Sequence, residues 1–394
     1  MSGIRACVFD VRGILVVLMM AVRVWTAQAQ SLPIDYWHSP LAPQGAAAPS
    51  WSEQERSLNP EDCGLCHADK LEEWRTSLHA KAFSPGLVGQ LLALDRDEVR
   101  SCMNCHAPLA EQMTAFEAAR ARDKGHAPKE QGLAAMGNSC GGCHVRGNRR
   151  FGPPQRDTGA VGLSPADRPH GGVTRTLDFE QSEFCAACHQ FPQDQAINGK
   201  PLENTVAEWQ ASPAAAEGKT CQSCHMPDRR HIWRGIHDPD MVRSGLKAEF
   251  AAEAGGARFQ LTSTGVGHAF PTYVTPKVMM KGVALDEGGK PMAGTERQYL
   301  IQRRVEAVND DWVERFDTRL LPGQSATLHM PWPPSGKVRF WLEVHPDDFY
   351  DHDVYDALLR DLPKGSPAAR LINEADAQAG RTRFRLFETE IIRP

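Results

Sequence analysis

The sequence contains the stretch Cys63-Gly64-Leu65-Cys66-His67, the first of five Cys-x-x-Cys-His motifs that follow one another over about 160 residues. Two cysteines three positions apart can both reach the vinyl groups on one edge of a porphyrin. The next residue, a histidine, then lies under the iron as its proximal ligand. The repeated motif therefore predicts covalent attachment of five haem c groups. The other four motifs are Cys102–His106, Cys140–His144, Cys185–His189 and Cys221–His225.

The motifs use ten of the eleven cysteines, and the remaining one, Cys7, lies in a segment that we expect to be removed. Two other uses of paired cysteines stay open, namely structural zinc, which does not require a histidine after each pair, and a disulfide scaffold, whose cysteines are rarely all at two-residue gaps. We expect thioether bonds at Cys63, Cys66, Cys102, Cys105, Cys140, Cys143, Cys185, Cys188, Cys221 and Cys224. The proximal iron ligands would be His67, His106, His144, His189 and His225.

The N-terminus has the pattern of a secretory signal peptide over residues 1–29. Arg5 and Arg12 flank a short basic region, Gly13 to Val22 form an apolar stretch, and Ala27-Gln28-Ala29 offers a cleavage site between small residues. The apolar stretch is short for a membrane span, although an uncleaved anchor stays open as the alternative. The pattern predicts export to the periplasm, the cell surface or the extracellular space.

The composition divides the rest of the chain into three parts. Residues 30–60 are rich in Pro, Ala, Ser and Gly and suggest a flexible leader. Residues 61–247 contain few apolar side chains and hold all the motifs, so we expect the porphyrins to supply the apolar core of this haem domain. Residues 248–394 alternate apolar and polar side chains, with turns such as Pro322-Gly323-Gln324 between them. This alternation predicts an antiparallel β-sandwich, and the whole chain is predicted to be α+β.

The sequence contains more histidines than the motifs use. A haem whose iron has a second axial protein ligand acts as an electron carrier, whereas a haem with one protein ligand can bind a substrate. His79 is the first candidate distal ligand. If residues 67–81 formed one helix, His67 and His79 would lie about 18 Å apart and would serve different irons. The other candidates are His268, His231, His237, His170 and His126.

Several arginines follow the third and fifth motifs, within the predicted loop 146–169 and after His225. They are either partners for the haem propionates or solvated surface charges. The segment Glu73-Trp74-x-x-Ser77 recurs as Glu208-Trp209-x-x-Ser212, by shared origin or by chance, and the first copy alone continues to a histidine, His79.

The motifs resemble those of the multihaem c-type cytochrome superfamily, which includes the tetrahaem electron carriers of hydroxylamine oxidation and the pentahaem nitrite reductases. The first motif is followed by Trp74-x-x-Ser77-x-His79, the fifth motif continues as Met226-Pro227, and Gly267-His268-Ala269-Phe270-Pro271-Thr272 resembles an element that joins haem and β-domains. The resemblance implies distal ligation by His79 and His268. One departure stands out: ammonia-forming nitrite reductases carry a catalytic Cys-x-x-Cys-Lys motif, whereas all five motifs here end in histidine.

These observations predict an exported pentahaem cytochrome that relays single electrons between redox protein partners. The alternatives are an oxidoreductase with one open iron that acts on a small nitrogen or sulfur compound, and a subunit of a polymeric extracellular haem wire. The balanced net charge of −5 gives no sign of nucleic-acid binding. Peripheral membrane association and a homo-oligomer are both compatible with the sequence.

Overall fold

A computed structural model describes residues 31–122, 132–156, 168–309 and 311–394. The predicted signal peptide and the candidate ligand His126 lie outside these residues. The described chain mixes helices with antiparallel sheets, so the prediction of an α+β protein is confirmed at that level. No helix in the described ranges is both long enough and apolar enough to cross a membrane.

The first part of the fold consists of short helices joined by loops. Asp95 caps α5 through a capping box with Glu98, and Pro60 and Pro85 each occupy the first turn of their helix, where proline is tolerated. Within the described residues, the α-helices before the large sheets are α1 (Glu53–Arg56), α2 (Pro60–Gly64), α3 (Ala68–Arg75), α4 (Pro85–Leu91), α5 (Arg96–His106), α6 (Ala110–Arg122), α7 (Cys140–His144), α8 (Ala186–His189), α9 (Thr205–Gln210), α10 (Pro213–Ala216), α11 (Cys221–His225) and α12 (Pro239–Gly245).

The helix that follows the first motif is shorter than the sequence predicted. α3 ends at Arg75, and the predicted continuation to residue 81 is wrong. The Thr76 and Ser77 hydroxyls donate to the Glu73 and Trp74 carbonyls, at 2.8 and 2.7 Å, so these side chains compete with the helical hydrogen bonds that would extend α3. His79 consequently lies in a turn beyond the helix.

The predicted loop over residues 146–169 is wrong at its start. β1 (Val145–Arg146) and β2 (Arg149–Gly152) form a hairpin, and β3 (Thr174–Arg175) joins β2 in parallel. The turn requires positive φ at Gly147 and Asn148, 55° and 60°, which these two residue types tolerate best.

The second part of the fold contains two antiparallel sheets and a separate hairpin. The three-stranded sheet has the order β10-β5-β4, the four-stranded sheet has the order β12-β11-β6-β7, and β8 pairs with β9. The strands are β4 (Leu246–Glu253), β5 (Gly256–Ser263), β6 (Lys277–Leu285), β7 (Arg297–Ile301), β8 (Arg303–Val308), β9 (Asp311–Asp317), β10 (Ser325–Pro331), β11 (Lys337–His345) and β12 (Phe384–Ile392).

One hydrophobic core joins the two sheets. Phe259 and Leu328 from the three-stranded sheet, and Met280 and Phe340 from the four-stranded sheet, belong to the same buried cluster. Along β5, buried residues alternate with half-buried ones, as expected for a strand with one face on a core. The apolar positions that the sequence singled out are thus the ones that face inward.

Three elements of the second part have no counterpart in the sequence-based prediction. β4 is rich in Ala and Glu, which do not favour strands, and half of its eight positions are exposed. The helices α13 (Asp356–Asp361) and α14 (Pro367–Ala379) interrupt the predicted all-β region between β11 and β12. α14 packs against α4 of the first part, where Gly89 lets Ile372 approach closely.

Two buried arginines connect the two parts of the fold. Arg303 is fully buried and donates to the carbonyl oxygens of Ile197, Lys200 and Pro201 at 2.6–2.9 Å. Arg319 donates to the Glu208 carboxylate at 2.9 Å and to the Thr272 carbonyl at 2.8 Å. Both arginines belong to the β-rich part, so these bonds fix it against the motif-bearing part.

The segment before the first motif also contacts the body of the protein. Tyr36 is only 3% exposed and its hydroxyl donates to the Cys143 carbonyl at 2.6 Å. Arg146 lies over the Tyr36 ring, 4.2 Å from its centre. This segment therefore covers the third motif.

Candidate haem-binding site

A continuous cavity of about 2390 Å³ lies between the two parts of the fold. Cavities for one small ligand typically measure about 300–1,000 Å³, so this space suits several large groups. Side chains from all five motifs line it. The five described candidate ligands that come from outside the motifs also line it, namely His79, His170, His231, His237 and His268.

The motifs share one local geometry. Each includes or adjoins one turn of helix, as in α7 and α11, which begin at the first cysteine and end at the histidine. In α11 the Thr220 hydroxyl accepts from the Ser223 amide at 3.3 Å and starts the turn. A single helical turn presents both thiols and the histidine toward the same space, as covalent haem attachment requires.

Most of the histidines in the cavity are oriented by a backbone carbonyl. A hydrogen bond at Nδ1 leaves Nε2 free for iron and fixes the ring orientation, which is the usual arrangement of metal-binding histidines. The Nδ1 contacts are His106 to Ala82 O (3.0 Å), His144 to Phe151 O (2.8 Å), His170 to Gly172 O (3.1 Å), His225 to Arg234 O (2.6 Å), His231 to Arg229 O (3.0 Å) and His268 to Ala269 O (2.9 Å).

Three motif histidines each face a histidine from a distant segment. The ring centres of His144 and His231 are 6.1 Å apart. The separation is 6.3 Å both for His189 and His79 and for His225 and His268. Metal–imidazole bonds are about 2 Å long and the ring centre lies about 1 Å behind the nitrogen, so two axial imidazoles on one metal have centres about 6 Å apart. The three pairs have this separation.

Burial keeps the facing histidines in the neutral form that binds metals. Burial lowers the pKa of His79 to about 3, and that of His231 and His268 to about 4. Burial also lowers the pKa of His144 and His189. Each of the three pairs thus includes a distant histidine that stays neutral at physiological pH.

The remaining candidates are placed differently. His170 is an electrostatic neighbour of His67, and its amide donates to the Glu55 carboxylate at 2.8 Å. His237 has Nε2 3.0 Å from both oxygens of Asp347, whereas its buried Nδ1 has no hydrogen-bond partner. Among the described residues, neither His67 nor His106 has a histidine ring facing it at the separation of the three pairs.

The motifs adjoin one another through their cysteines. The Cys63 and Cys140 thiols lie close enough to shift each other's pKa, which links the first motif to the third. In the same way Cys188 of the fourth motif contacts Cys105 of the second, and Cys185 of the fourth contacts Cys221 of the fifth. The fourth motif is therefore adjacent to two others.

The described side chains do not support the two other uses of the cysteines. The ten motif cysteines form no disulfide. Within the described ranges, no group of three or more histidine, cysteine or acidic side chains has a metal-binding arrangement of its own. The cavity volume, the paired thiols and the free Nε2 atoms fit haem c instead.

Most of the arginines considered for the propionates are occupied by other partners. Arg146 donates to backbone carbonyls, including Tyr36 O at 2.7 Å. Arg229 pairs with Glu180, Arg230 pairs with Glu73 at 3.0 Å, and Arg234 donates to Thr76. These arginines hold segments together, which neither of the two sequence-based interpretations anticipated.

Some residues of the site were not identified from the sequence. Trp233 packs edge-on against His79 and His231, with ring centres 4.6 and 5.1 Å away. Tyr273 and Tyr350 are electrostatic neighbours of each other and of Glu203, and Tyr350 is also a neighbour of Cys102. Burial raises the pKa of Glu203 to about 8. Single aromatic and acidic side chains carry no spacing signal, so only the fold reveals them.

Comparisons with known proteins agree with this geometry. Residues 62–145 match the family model described as cytochrome c554 and c-prime. The structure is similar to that of a penta-haem cytochrome c552 from Thermochromatium tepidum, with a TM-score of 0.57 and 19% identity over 86% of this chain and 99% of that chain. At this identity the likeness shows a shared fold. No match was found among curated proteins. The family match over residues 62–145 and the shared fold support the similarity to multihaem c-type cytochromes that the repeated attachment motif indicates.

Proposed function

We propose that this cytochrome carries five haem c groups, one at each Cys-x-x-Cys-His motif, and relays single electrons between redox protein partners. The observation that carries the proposal is the facing of motif histidines by distant histidines at 6.1–6.3 Å. A haem iron with two histidine ligands has no free position for a substrate, whereas it still exchanges electrons. The ten cysteines would form the thioethers and the five motif histidines would be proximal ligands.

The facing pairs support a specific set of distal ligands. His231 would serve the iron of the third motif, His79 that of the fourth and His268 that of the fifth. His170, the electrostatic neighbour of His67, would serve the first. Each distal ligand comes from a different segment than its proximal partner, so ligation would fasten distant parts of the chain together.

The order of contacts among the motifs supports a relay. Haem supplies reversible one-electron chemistry when bound. The protein would set which groups are neighbours, because the thiol contacts join the first motif to the third and the fourth to both the second and the fifth. Cys143 of the third motif is also an electrostatic neighbour of Cys185 and Cys188, which connects all five attachment sites.

The β-rich part, with its two sheets around one core, would be a β-sandwich domain that braces the cavity. It contributes His268 and the buried arginines that fix the two parts together. The function that we propose fits an exported protein of the periplasm or cell surface, with residues 1–29 removed. Haem attachment takes place outside the cytoplasm in bacteria, and cytochromes of the c554 family are typically periplasmic.

A second function has one specific observation in its favour. Like His67, His106 has no histidine ring facing it among the described residues, and in addition the buried groups Glu203 and Tyr350 are electrostatic neighbours of Cys105 and Cys102 of its motif, with Tyr273 next to both groups. An iron with an open position beside these polar groups would suit reduction or oxidation of a small nitrogen or sulfur compound. This alternative places the reaction at the second motif.

Paramagnetic-resonance spectra of the purified ferric protein separate the two functions. The carrier predicts low-spin signals alone and no spectral change when carbon monoxide is added to the reduced protein. A high-spin signal together with carbon monoxide binding at one haem would instead favour the enzyme. The two measurements check each other, because the spin state and carbon monoxide binding both report whether an iron has an open position.

A further inference from the structure

The two Glu-Trp-x-x-Ser segments of the sequence have the same local structure. We call residues 73–77 the first Glu-Trp element and residues 208–212 the second. Each lies at the end of a short helix, α3 or α9. In both, the serine amide donates to the tryptophan carbonyl at 2.9 Å. The repeat in the sequence is thus also a repeat in conformation.

The tryptophans of the two elements make equivalent contacts. Trp74 donates its indole N–H to the Asn138 carbonyl at 2.9 Å, and Trp209 donates to the Lys219 carbonyl at 2.8 Å. Each carbonyl belongs to the residue two positions before the first cysteine of a motif, Cys140 or Cys221. The first element therefore holds the start of the third motif, and the second element holds the start of the fifth.

The glutamates of the two elements hold the segments that carry the facing histidines. Glu73 accepts from the His231 amide at 2.8 Å and from Arg230 at 3.0 Å. Glu208 accepts from the Ala269 amide, next to His268, at 3.2 Å. Its other oxygen accepts from Arg319 at 2.9 Å. Both carboxylates are largely buried, with side chains 17% and 7% exposed.

The two contacts of each element belong to the same histidine pair. Trp74 holds the motif of His144, and Glu73 holds the segment of His231, which faces His144. Trp209 holds the motif of His225, and Glu208 holds the segment of His268, which faces His225. A coincidence of both contacts in both elements is not expected from a chance repeat of three residue types.

The segment held by Glu73 has a strained backbone. Asp228, Arg229 and Trp233 have φ of 53°, 58° and 38°, and such conformations are unfavourable in residues other than glycine and persist only where the surroundings enforce them. The carboxylate bonds to the His231 amide and to the Arg230 side chain lie in the middle of this segment. Glu73 thus has a physical task beyond the surface ion pairs of α3.

We propose that each Glu-Trp element is a positioning element for one haem, in which the tryptophan fixes the proximal side and the glutamate fixes the distal side. The first element would serve the haem of the third motif and the second would serve that of the fifth. At the position where the first element continues to His79, the second has Ala214, which lies against Gly267. The inference rests on the proposed distal ligands His231 and His268.

Substitution of the glutamates tests the inference. We expect Glu208→Ala to loosen His268 and to convert one haem from low-spin to partly high-spin. The reduced variant should then bind carbon monoxide at that haem. Glu73→Ala should do the same at a different haem, and the double variant should show both changes. The matched controls are Glu72→Ala and Glu217→Ala, which remove exposed glutamates beside each element and should leave the spectra unchanged.

Two further variants make each outcome decisive. Trp209→Phe keeps an aromatic side chain but removes the indole N–H that donates to the Lys219 carbonyl. We expect a shifted midpoint potential at the same haem that Glu208→Ala affects. The intact mass should show that all haems are still attached. His268→Ala tests the ligand itself. A spectral change in His268→Ala but none in Glu208→Ala or Trp209→Phe would overturn the positioning role alone. Unchanged low-spin signals in His268→Ala as well would overturn the distal assignment on which it rests.

Discussion

The imidazole rings of His225 and His268 are nearly parallel, with an interplanar angle of 11° and a centre-to-centre distance of 6.3 Å. His225 ends the fifth motif, whereas His268 belongs to the β-rich part and is oriented by its own bond to the Ala269 carbonyl. The pair therefore joins the two parts of the fold at one proposed iron. This relationship makes the β-rich part a contributor to the haem site.

We expect His268→Ala to open one haem and to weaken the contact between the two parts. One haem should become high-spin in the ferric protein, and the reduced protein should bind carbon monoxide at that haem. The control is His329→Ala, because His329 is on β10 with a side chain 62% exposed. Equal spectra for the two variants would contradict the assignment of His268.

We expect Arg319→Met to destabilise the protein by about 3–5 kcal/mol, the usual effect of removing one partner of a buried ion pair. The Arg319 and Glu208 side chains are 4% and 7% exposed, so the substitution leaves buried carboxylates without compensation. Chemical denaturation of the haem-loaded protein measures the change. Arg339→Met is the control, since Arg339 pairs with the more exposed Glu390, and a loss of about 1 kcal/mol or less is expected there.

A second carboxylate that pairs with Arg319, that of Asp317, makes the stability of the protein depend on pH. Burial alone would raise the pKa of Asp317, but hydrogen bonds from Arg319 and Lys200 outweigh it and hold the pKa below its usual range. A carboxylate with a lowered folded-state pKa stabilises the protein above its unfolded-state pKa of about 3.9, and this contribution is lost as the pH falls through the folded-state value.

Asp317→Asn should therefore reduce the fall in unfolding free energy below about pH 4. The measurement is the unfolding free energy of both proteins between neutral and acidic pH. A variant that loses stability on acidification as steeply as the parent would show that Asp317 is not responsible.

We expect Gly89→Ala to destabilise the contact between α4 and α14. Alanine is favoured over glycine in a helix by about 1 kcal/mol, but a methyl group at this position would lie 2.7 Å from Cδ1 of Ile372. Overpacking of this kind costs about 1–3 kcal/mol, so the net change should be a loss. Thermal unfolding checks it, with Gly255→Ala as the control because nothing lies within 4 Å of that position. A more stable Gly89→Ala protein would mean that Ile372 moves aside freely.

The sequence predicted the attachment residues better than the distal histidines. Covalent attachment fixes the spacing of the cysteines and the motif histidine, whereas packing of distant segments decides which histidines face them. The motifs identified Cys63–His67 and its four repeats at once, because thioether attachment requires that pattern. The partner of His225 was found only in the structure, since His268 is brought close by the sheets and by Glu208. His79 was recognised as a candidate, but its predicted helix was wrong, because Thr76 and Ser77 end α3 early.

The β-rich part shows the same division. Alternating strands such as β5 and β11 were predicted because one face of each is buried. β4 was missed because its Ala and Glu residues lack that pattern. α14 was missed although Ala368, Ile372, Ala375 and Ala379 form a buried stripe at helical spacing, because small alanine side chains mark an apolar face less clearly than large ones.

The cavity itself implies that the first part of the fold depends on its haems. A space of about 2390 Å³ surrounded by short helices cannot stay dry and stable without its contents. We expect the chain without attached haem to lack the helical content of the loaded protein in circular dichroism. A haem-free chain with the full helical signal and a cooperative unfolding transition would contradict this dependence.

The most direct test of the account is the intact mass of the mature polypeptide, determined together with its absorption spectrum. We predict the mass of the chain after residue 29 with five covalent haem additions, and a strongly coloured protein. A mature chain that is folded and compact but carries fewer than five additions would contradict the central claim.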